Sequence, residues 1–208
     1  MAPHRDTTVL DGLVDDIDAG FAAFVRAHSG PVYSTALRLS GSRAEADDLA
    51  QETFVRAYRS LRRFDAERVR ALESRPWLLT ITLNLWRNRL RRTARRPRDT
   101  RGPRDVDVAD TRPGPEESAE ESEASRALVV LLGQLPEHQR VPVVLRHVVG
   151  LSYAEIASTV HCPVGTAKAN VARGLERLRV LACAPAAPGR RSSSARRPRQ
   201  LVRGKEAR

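Results

Sequence analysis

The chain has 208 residues, 29% charged and 41% hydrophobic, and its 36 basic against 25 acidic side chains leave a net charge of +11. This composition excludes a fibrous or membrane-embedded protein and suits one sizeable domain or two small ones. The basic excess points to a polyanionic partner, nucleic acid before an anionic membrane surface, although 34 of the 36 basic residues are Arg and codon composition alone can produce such a skew.

Near the N-terminus, Asp11, Asp15, Asp16 and Asp18 stand where a signal peptide would need an apolar run. Residues 1–19 are expected to form a flexible extension. The longest apolar stretch, Ala127 to Leu132, is far shorter than the ~20 residues that span a bilayer. A cytoplasmic location without membrane insertion is expected.

A first compact unit covers about 20–92. Phe21, Phe24, Val25, Val32, Leu37 and Leu39 suggest one or two helices interrupted near Gly30–Pro31. Leu49, Phe54, Ala57, Leu61 and Phe64 fall on one helical face between Arg43 and Phe64. Pro76 suits the first turn of a helix running to about Arg92. Residues 93–124 contain Pro97, Pro103, Pro113 and Pro115 with few large apolar groups, and read as a linker. A second unit covers 125–182. It holds a short helix at Leu128–Leu132 and another opened by Pro136 and ended by Gly150. Within the latter, Pro142 is tolerable only near the first turn. Residues 183–208 read as a basic disordered tail. No segment alternates like a strand. The expected fold is all-α, two small helical domains joined by a flexible linker.

Charge follows the same divisions. Residues 87–104 carry nine Arg against Asp99, residues 105–123 carry eight acids against Arg112, and residues 184–208 carry eight basic groups against Glu206. Such blocks mark boundaries.

Two stretches carry chemistry. Ser152-Tyr-Ala-Glu155 is a capping-box pattern. It opens a short helix, His161-Cys-Pro163 breaks it, and a longer helix runs from about Val164 to Leu181. Short helix, tight turn and longer helix is the layout that lays a second helix in the major groove. On a helical wheel, Val164, Ala167, Val171, Leu175 and Leu178 share one face. Thr166, Ala169, Asn170, Arg173 and Arg177 lie opposite, with Lys168 and Arg179 flanking. Those hydroxyl, amide and guanidinium groups suit phosphates and base edges, or else form a solvated face. The second stretch is the Pro76–Arg92 helix. A polar stripe of Thr80, Asn84, Arg87 and Arg91 runs between two apolar arcs. It can lie on nucleic acid, or Asn84 can simply be a satisfied polar group at a bundle edge. The acidic segment Glu45-Ala-Asp-Asp-Leu-Ala-Gln-Glu52 would repel phosphates, so it is a solvated helix start or a docking surface for a basic protein.

These residues resemble the extracytoplasmic-function group of bacterial RNA polymerase sigma factors. Asp47-Asp-Leu-Ala-Gln-Glu-Thr-Phe-Val-Arg-Ala-Tyr58 and Arg75-Pro-Trp-Leu-Leu-Thr-Ile-Thr-Leu-Asn84 look like the family's region 2. Leu135-Pro-Glu-His-Gln-Arg140, Leu145-Arg, Gly150-Leu-Ser-Tyr-Ala-Glu-Ile-Ala157 and Cys162-Pro-Val-Gly-Thr166 look like its region 4. The resemblance implies that Asp48, Leu49, Gln51 and Glu52 dock on core RNA polymerase. It implies that Asn84 reads a flipped-out base of a promoter's −10 element, in a pocket lined by the loop from about Phe64 to Arg75. It places Lys168, Asn170 and Arg173 at the −35 element and runs the acidic linker through the polymerase interior. An anti-sigma partner is implied as well. The family often has Thr-Val-Lys-Ser-Arg where this chain has Thr166-Ala-Lys-Ala-Asn170.

A conventional helix-turn-helix regulator acting without polymerase is the alternative, but it leaves the first unit unused. A polymerase-binding adaptor that confers no promoter specificity is another. No enzymatic motif is present, and no catalytic residue, metal or cofactor is expected. His161 beside Cys162 lacks the second ligand pair a zinc site needs.

Overall fold

The computed structural model describes residues 7–95 and 119–183. Among them are nine helices: α1 (Thr7–Asp15), α2 (Ile17–Ser40), α3 (Arg43–Leu61), α4 (Ala66–Arg70), α5 (Ser74–Arg95), α6 (Ala119–Gly133), α7 (Glu137–His147), α8 (Tyr153–Val160) and α9 (Val164–Cys183). No strand occurs among the described residues. The basic tail from 184 and the linker from 96 to 118 lie outside them.

Short polar side chains set most of the boundaries. Asp16 caps α2 by accepting from the amides of Asp18 and Ala19. Ser42 caps α3 by accepting from Glu45, and Asp65 caps α4 by accepting from Arg68. Each cap satisfies an amide that the helix itself leaves without a partner. Gly41 ends α2 in the left-handed region at φ 76°, where a side chain would be strained.

Three expectations need correction. The break at Gly30–Pro31 does not occur: α2 runs through Pro31. Proline removes one helical hydrogen bond, at a cost of about 3 kcal/mol. Phe24, Val32, Ala36 and Leu39 are all buried along the same helix, and each large apolar side chain buried contributes roughly 1.5–3 kcal/mol. Burial therefore outweighs the lost bond. Pro142 likewise sits inside α7 beyond its first turn, buried with Val141, Val143 and Val144.

The N-terminal extension is not loose either. Residues 7–15 form α1, with Leu10 and Leu13 buried. It packs on α2 and α4, and Arg70 on α4 reaches Asp11 at 3.4 Å. The contact requires Gly20. A Cβ there would meet the Gly12 backbone carbonyl, its carbon at 2.6 Å, and the Leu13 nitrogen at 2.8 Å. Gly20→Ala is expected to destabilise the protein by about 1–3 kcal/mol through this backbone overlap. Gly12→Ala, whose Cβ meets nothing within 4 Å, should instead stabilise by up to ~1 kcal/mol through helix propensity. Thermal melts of both variants read the opposite signs.

The third correction concerns where the linker ends, the two helical units themselves being as expected. α6 starts at Ala119, within the segment read as linker, and the two helical groups share one core. Leu39, Leu49, Leu83 and Trp86 of the first are continuous with Leu132, Leu135, Val144 and Ile156 of the second. Helix α5 packs on α8, and α2 packs on α6 and α7. A smaller core of Leu10, Leu13, Phe24, Leu61, Val69 and Leu78 lies at the α1 end.

Candidate nucleic-acid interface

The stripe on α5 is positioned from beneath. Leu78, Leu79, Thr82, Leu83 and Trp86 are buried. The hydroxyls of Thr82 and Thr53 lie 3.1 Å apart in the core between α5 and α3; Thr53 donates to the Leu49 carbonyl one turn back at 2.7 Å, and the single Thr82 proton is shared between the Thr53 oxygen and the Leu78 carbonyl. This fixes the rotation of α5. Asn84 and Arg91 consequently face solvent, with Thr80 and Arg87 half-buried beside them. The Thr80 hydroxyl donates to the Pro76 carbonyl at 2.9 Å. Asn88 is exposed next to Asn84 and was missed by the sequence pattern. It lies one turn further along the same stripe, which is the available signal.

Phe64 sits at the turn before α4, half-buried against Trp77, ring centroids 5.9 Å apart. The Arg68 guanidinium lies 3.9 Å above its ring. A cavity of about 240 Å³ opens beside it, lined by Leu13, Val14, Ile17, Leu61, Phe64 and Val69.

The helix-turn-helix forms as its sequence requires. Ser152 and Glu155 make the complete capping box: Glu155 Oε2 accepts from the Ser152 amide at 2.7 Å, and Ser152 Oγ accepts from the Glu155 amide at 3.2 Å. His161 ends α8 at φ 57°. Arg146 of α7 braces the preceding turn, donating to the Leu151 carbonyl at 2.8 Å and lying 4.9 Å from the Tyr153 ring.

On α9, Thr166, Lys168, Arg173 and Arg177 are exposed as expected. Asn170 is not: it is buried, and its Oδ1 accepts from Arg173 Nη2 at 2.9 Å. Val164, assigned inward, is 51% exposed. The inward face is rotated because Gly174 is buried at the crossing with α7, where an added Cβ would sit 2.6 Å from Val143 Cγ2. A glycine carries no hydrophobic signal, so a wheel of apolar residues does not register it.

The acidic segment on α3 divides in the same way. Asp48 and Gln51 are exposed and Glu52 is half-buried. Leu49, expected on the docking surface, is fully buried and belongs to the core. Arg56 bonds Glu52 at 2.8 Å and holds its carboxyl below the usual range. Asp48 lies 3.7 Å from Arg89 of α5.

Two residues given no individual role in the sequence, Glu137 and Arg140, join the halves. Arg87 Nε donates to Glu137 Oε1 at 2.7 Å. Arg140 donates to the carbonyls of Leu39 at 3.1 Å and of Gly133 and Leu135 at 3.0 Å, and lies 5.7 Å from the Trp86 ring. Burial lowers its pKa, opposed by the nearby Glu137 carboxylate. Among the described residues no group of three or more His, Cys, Asp or Glu is arranged to hold a metal, and no helix is long and apolar enough to cross a membrane.

Comparison with known proteins follows the same division. Residues 24–96 match the Sigma-70 region 2 family and residues 125–178 match Sigma-70, region 4. The ECF RNA polymerase sigma factor SigE of Mycolicibacterium smegmatis is 37% identical over 156 residues, which cover 74% of this chain and 58% of that protein. The ECF RNA polymerase sigma factor SigW of Bacillus subtilis is 33% identical over 176 residues, covering 79% of this chain and 89% of the other. The sigma factor RpoE of Bartonella quintana, solved with the anti-sigma factor NepR, shares the fold at a TM-score of 0.60 and 23% identity, covering 78% of this chain and 96% of that one.

Proposed function

Because the chain belongs to the extracytoplasmic-function sigma factors of RNA polymerase, we propose that it joins core polymerase and selects promoters as a non-catalytic subunit in the cytoplasm. The carrying observation is the pairing of two nucleic-acid surfaces with an acidic one in a single chain. Asp48, Gln51 and Glu52 form the polymerase-docking face, with Leu49 holding the helix beneath them. Asn84 takes a base of the −10 element extracted from the stack. Thr80, Arg87 and Arg91 hold the adjoining backbone, and Phe64 helps shape the base pocket. Extraction costs a few kcal/mol, which a shaped pocket must offset. Thr166, Lys168, Arg173 and Arg177 face the −35 element. An anti-sigma factor is the expected restraint, in line with the complex known for the Bartonella protein.

Asn170 acts by orienting Arg173 rather than by touching DNA. Arg173→Ala is expected to weaken promoter binding and relax selection at one base pair, by about 1–3 kcal/mol if the guanidinium reads a guanine. Asn170→Ala should relax the same base pair less. Selection from a randomised −35 element checks both.

The reading is tested by gel-shift of a promoter fragment with chain alone, core polymerase alone and both together. A sequence-specific complex only with both supports it. A helix-turn-helix regulator would bind duplex tightly without polymerase, using α8 and α9 and leaving α3 and α5 unused.

A further inference from the structure

Among the described residues three take a left-handed backbone: Gly41 at φ 76°, Gly150 at φ 82° and His161 at φ 57°. Two are glycine, which adopts this region without steric cost. At the third a side chain is retained although its Cβ crowds the backbone there. The local hydrogen bonds require the conformation and nothing more. The His161 amide donates to the Ser158 carbonyl at 3.4 Å, and the Cys162 amide donates to the Ala157 carbonyl at 3.0 Å. The second of these is the bond that closes a helix around a left-handed residue, most commonly glycine. Glycine at 161 would end α8 equally well, so the turn itself has no need of an imidazole.

The rest of the fold makes no use of that side chain either. His161 is exposed, and its ring makes no hydrogen bond, ion pair or aromatic contact among the described residues. Its place in the chain is between Val160, the last residue of α8, and Val164, the first of α9. Pro163, Val164 and Thr166 on the same turn are exposed as well. In a bound helix-turn-helix the first helix crosses the sugar–phosphate backbone, and the second enters the major groove with its N-terminal residues on base edges. The residue joining them passes the edge of the groove, where the phosphates lie. Imidazole has a nitrogen donor for a phosphate oxygen in either protonation state.

We propose that His161 is a further DNA contact: its imidazole donates to a phosphate oxygen at the edge of the major groove that α9 enters, and the strained backbone is retained for that side chain. This rests on the promoter reading and adds to it a residue outside the α9 face. A phosphate contact fixes register and orientation without carrying sequence information. His161 thus positions α9, while Lys168 and Arg173, exposed further along the helix, meet the element itself. Stability and binding are opposed at this one position, which separates the proposal from a purely structural role.

The test uses the full chain with core polymerase on a promoter fragment. His161→Gly removes strain and imidazole together. Its melting temperature should rise by about 2–4 °C, while affinity for the promoter falls about tenfold, as for loss of a hydrogen bond to a charged group. His161→Asn keeps a residue type that tolerates the left-handed region but withdraws the donor on a shorter side chain. It should melt as the parent does and also bind more weakly, which separates the lost contact from a loosened turn. Ethylation of single backbone phosphates reads the contact itself. One phosphate beside the −35 element should interfere with the parent complex and no longer with the His161→Gly complex. Base preference in a randomised −35 element should not change. A His161→Gly chain that melts higher yet binds the promoter as before would overturn the proposal, leaving His161 as the end of α8 alone and the promoter reading intact. The same ethylation pattern for parent and variant, or an altered base preference, would overturn it too. A parent chain that forms no promoter complex with core polymerase would remove the promoter reading, and this contact with it.

Discussion

Asn84→Ala is expected to reduce open-complex formation at a matched promoter by about 5- to 150-fold, while affinity for core polymerase stays within about twofold. The range follows from the ~1–3 kcal/mol that a good amide-to-base pair contributes. Asn84 is solvent-exposed on α5, and no structural hydrogen bond depends on it among the contacts that fix the helix. Those are made by Thr53 and Thr82 from the opposite side. Alanine also favours helix more than asparagine does. The variant should therefore melt at or slightly above the parent temperature. Permanganate footprinting of the −10 region, with core binding measured in parallel, separates the two effects. Equal loss of opening and of core binding would show that Asn84 supports the fold instead of reading a base.

Leu49→Ala is expected to cost about 2–5 kcal/mol of stability, the usual range for truncating a buried leucine, and to lower the melting temperature by roughly 4–20 °C. Leu49 is fully buried in the core that joins both halves. Its carbonyl also accepts the Thr53 hydroxyl at 2.7 Å, tying it to the packing of α3 on α5. Loss of polymerase binding in this variant should follow the loss of fold. Gln51→Arg makes the contrast. Gln51 is exposed on the same helix, so stability should move by less than about 0.5 kcal/mol, while affinity for core polymerase falls. A Leu49 variant that melts normally but fails to bind polymerase would return Leu49 to the docking surface.

The sequence was most legible where one local rule decided the outcome. The capping box at Ser152 and Glu155, the break at His161-Cys-Pro163 and the Pro76 start of α5 each depend on a few adjacent residues, and each forms. The exposure of Asn84 followed from helical periodicity because both flanking arcs are strongly apolar. Legibility failed where a distant neighbour decided. Pro31 remains helical because α2 is buried along much of its length. Asn170 turns inward because Gly174, four residues and about 6 Å of helix rise further along, lets α7 approach. Helix α1 depends on Gly20 against Gly12, a close approach that no propensity scale records. The seam between the halves was invisible because Glu137 and Arg140 are ordinary surface residue types, and only the fold places them against Arg87 and Trp86.

The resemblance and the structure contribute differently to the site. The resemblance assigned the acidic face of α3 to polymerase, which charge alone left open between docking and solvation. The structure then divided that face, keeping Asp48, Gln51 and Glu52 accessible and withdrawing Leu49. It divided α9 similarly, leaving Thr166, Lys168, Arg173 and Arg177 outward and Asn170 beneath Arg173.

The central claim is that this chain confers promoter choice on a polymerase that lacks it. Run-off transcription from a library of genomic promoter fragments, with core RNA polymerase in the presence and absence of the chain, tests it most directly. Discrete transcripts that require the chain and share two upstream elements are the result predicted here. Core polymerase yielding no promoter-specific transcript from any fragment when the chain is added would contradict it.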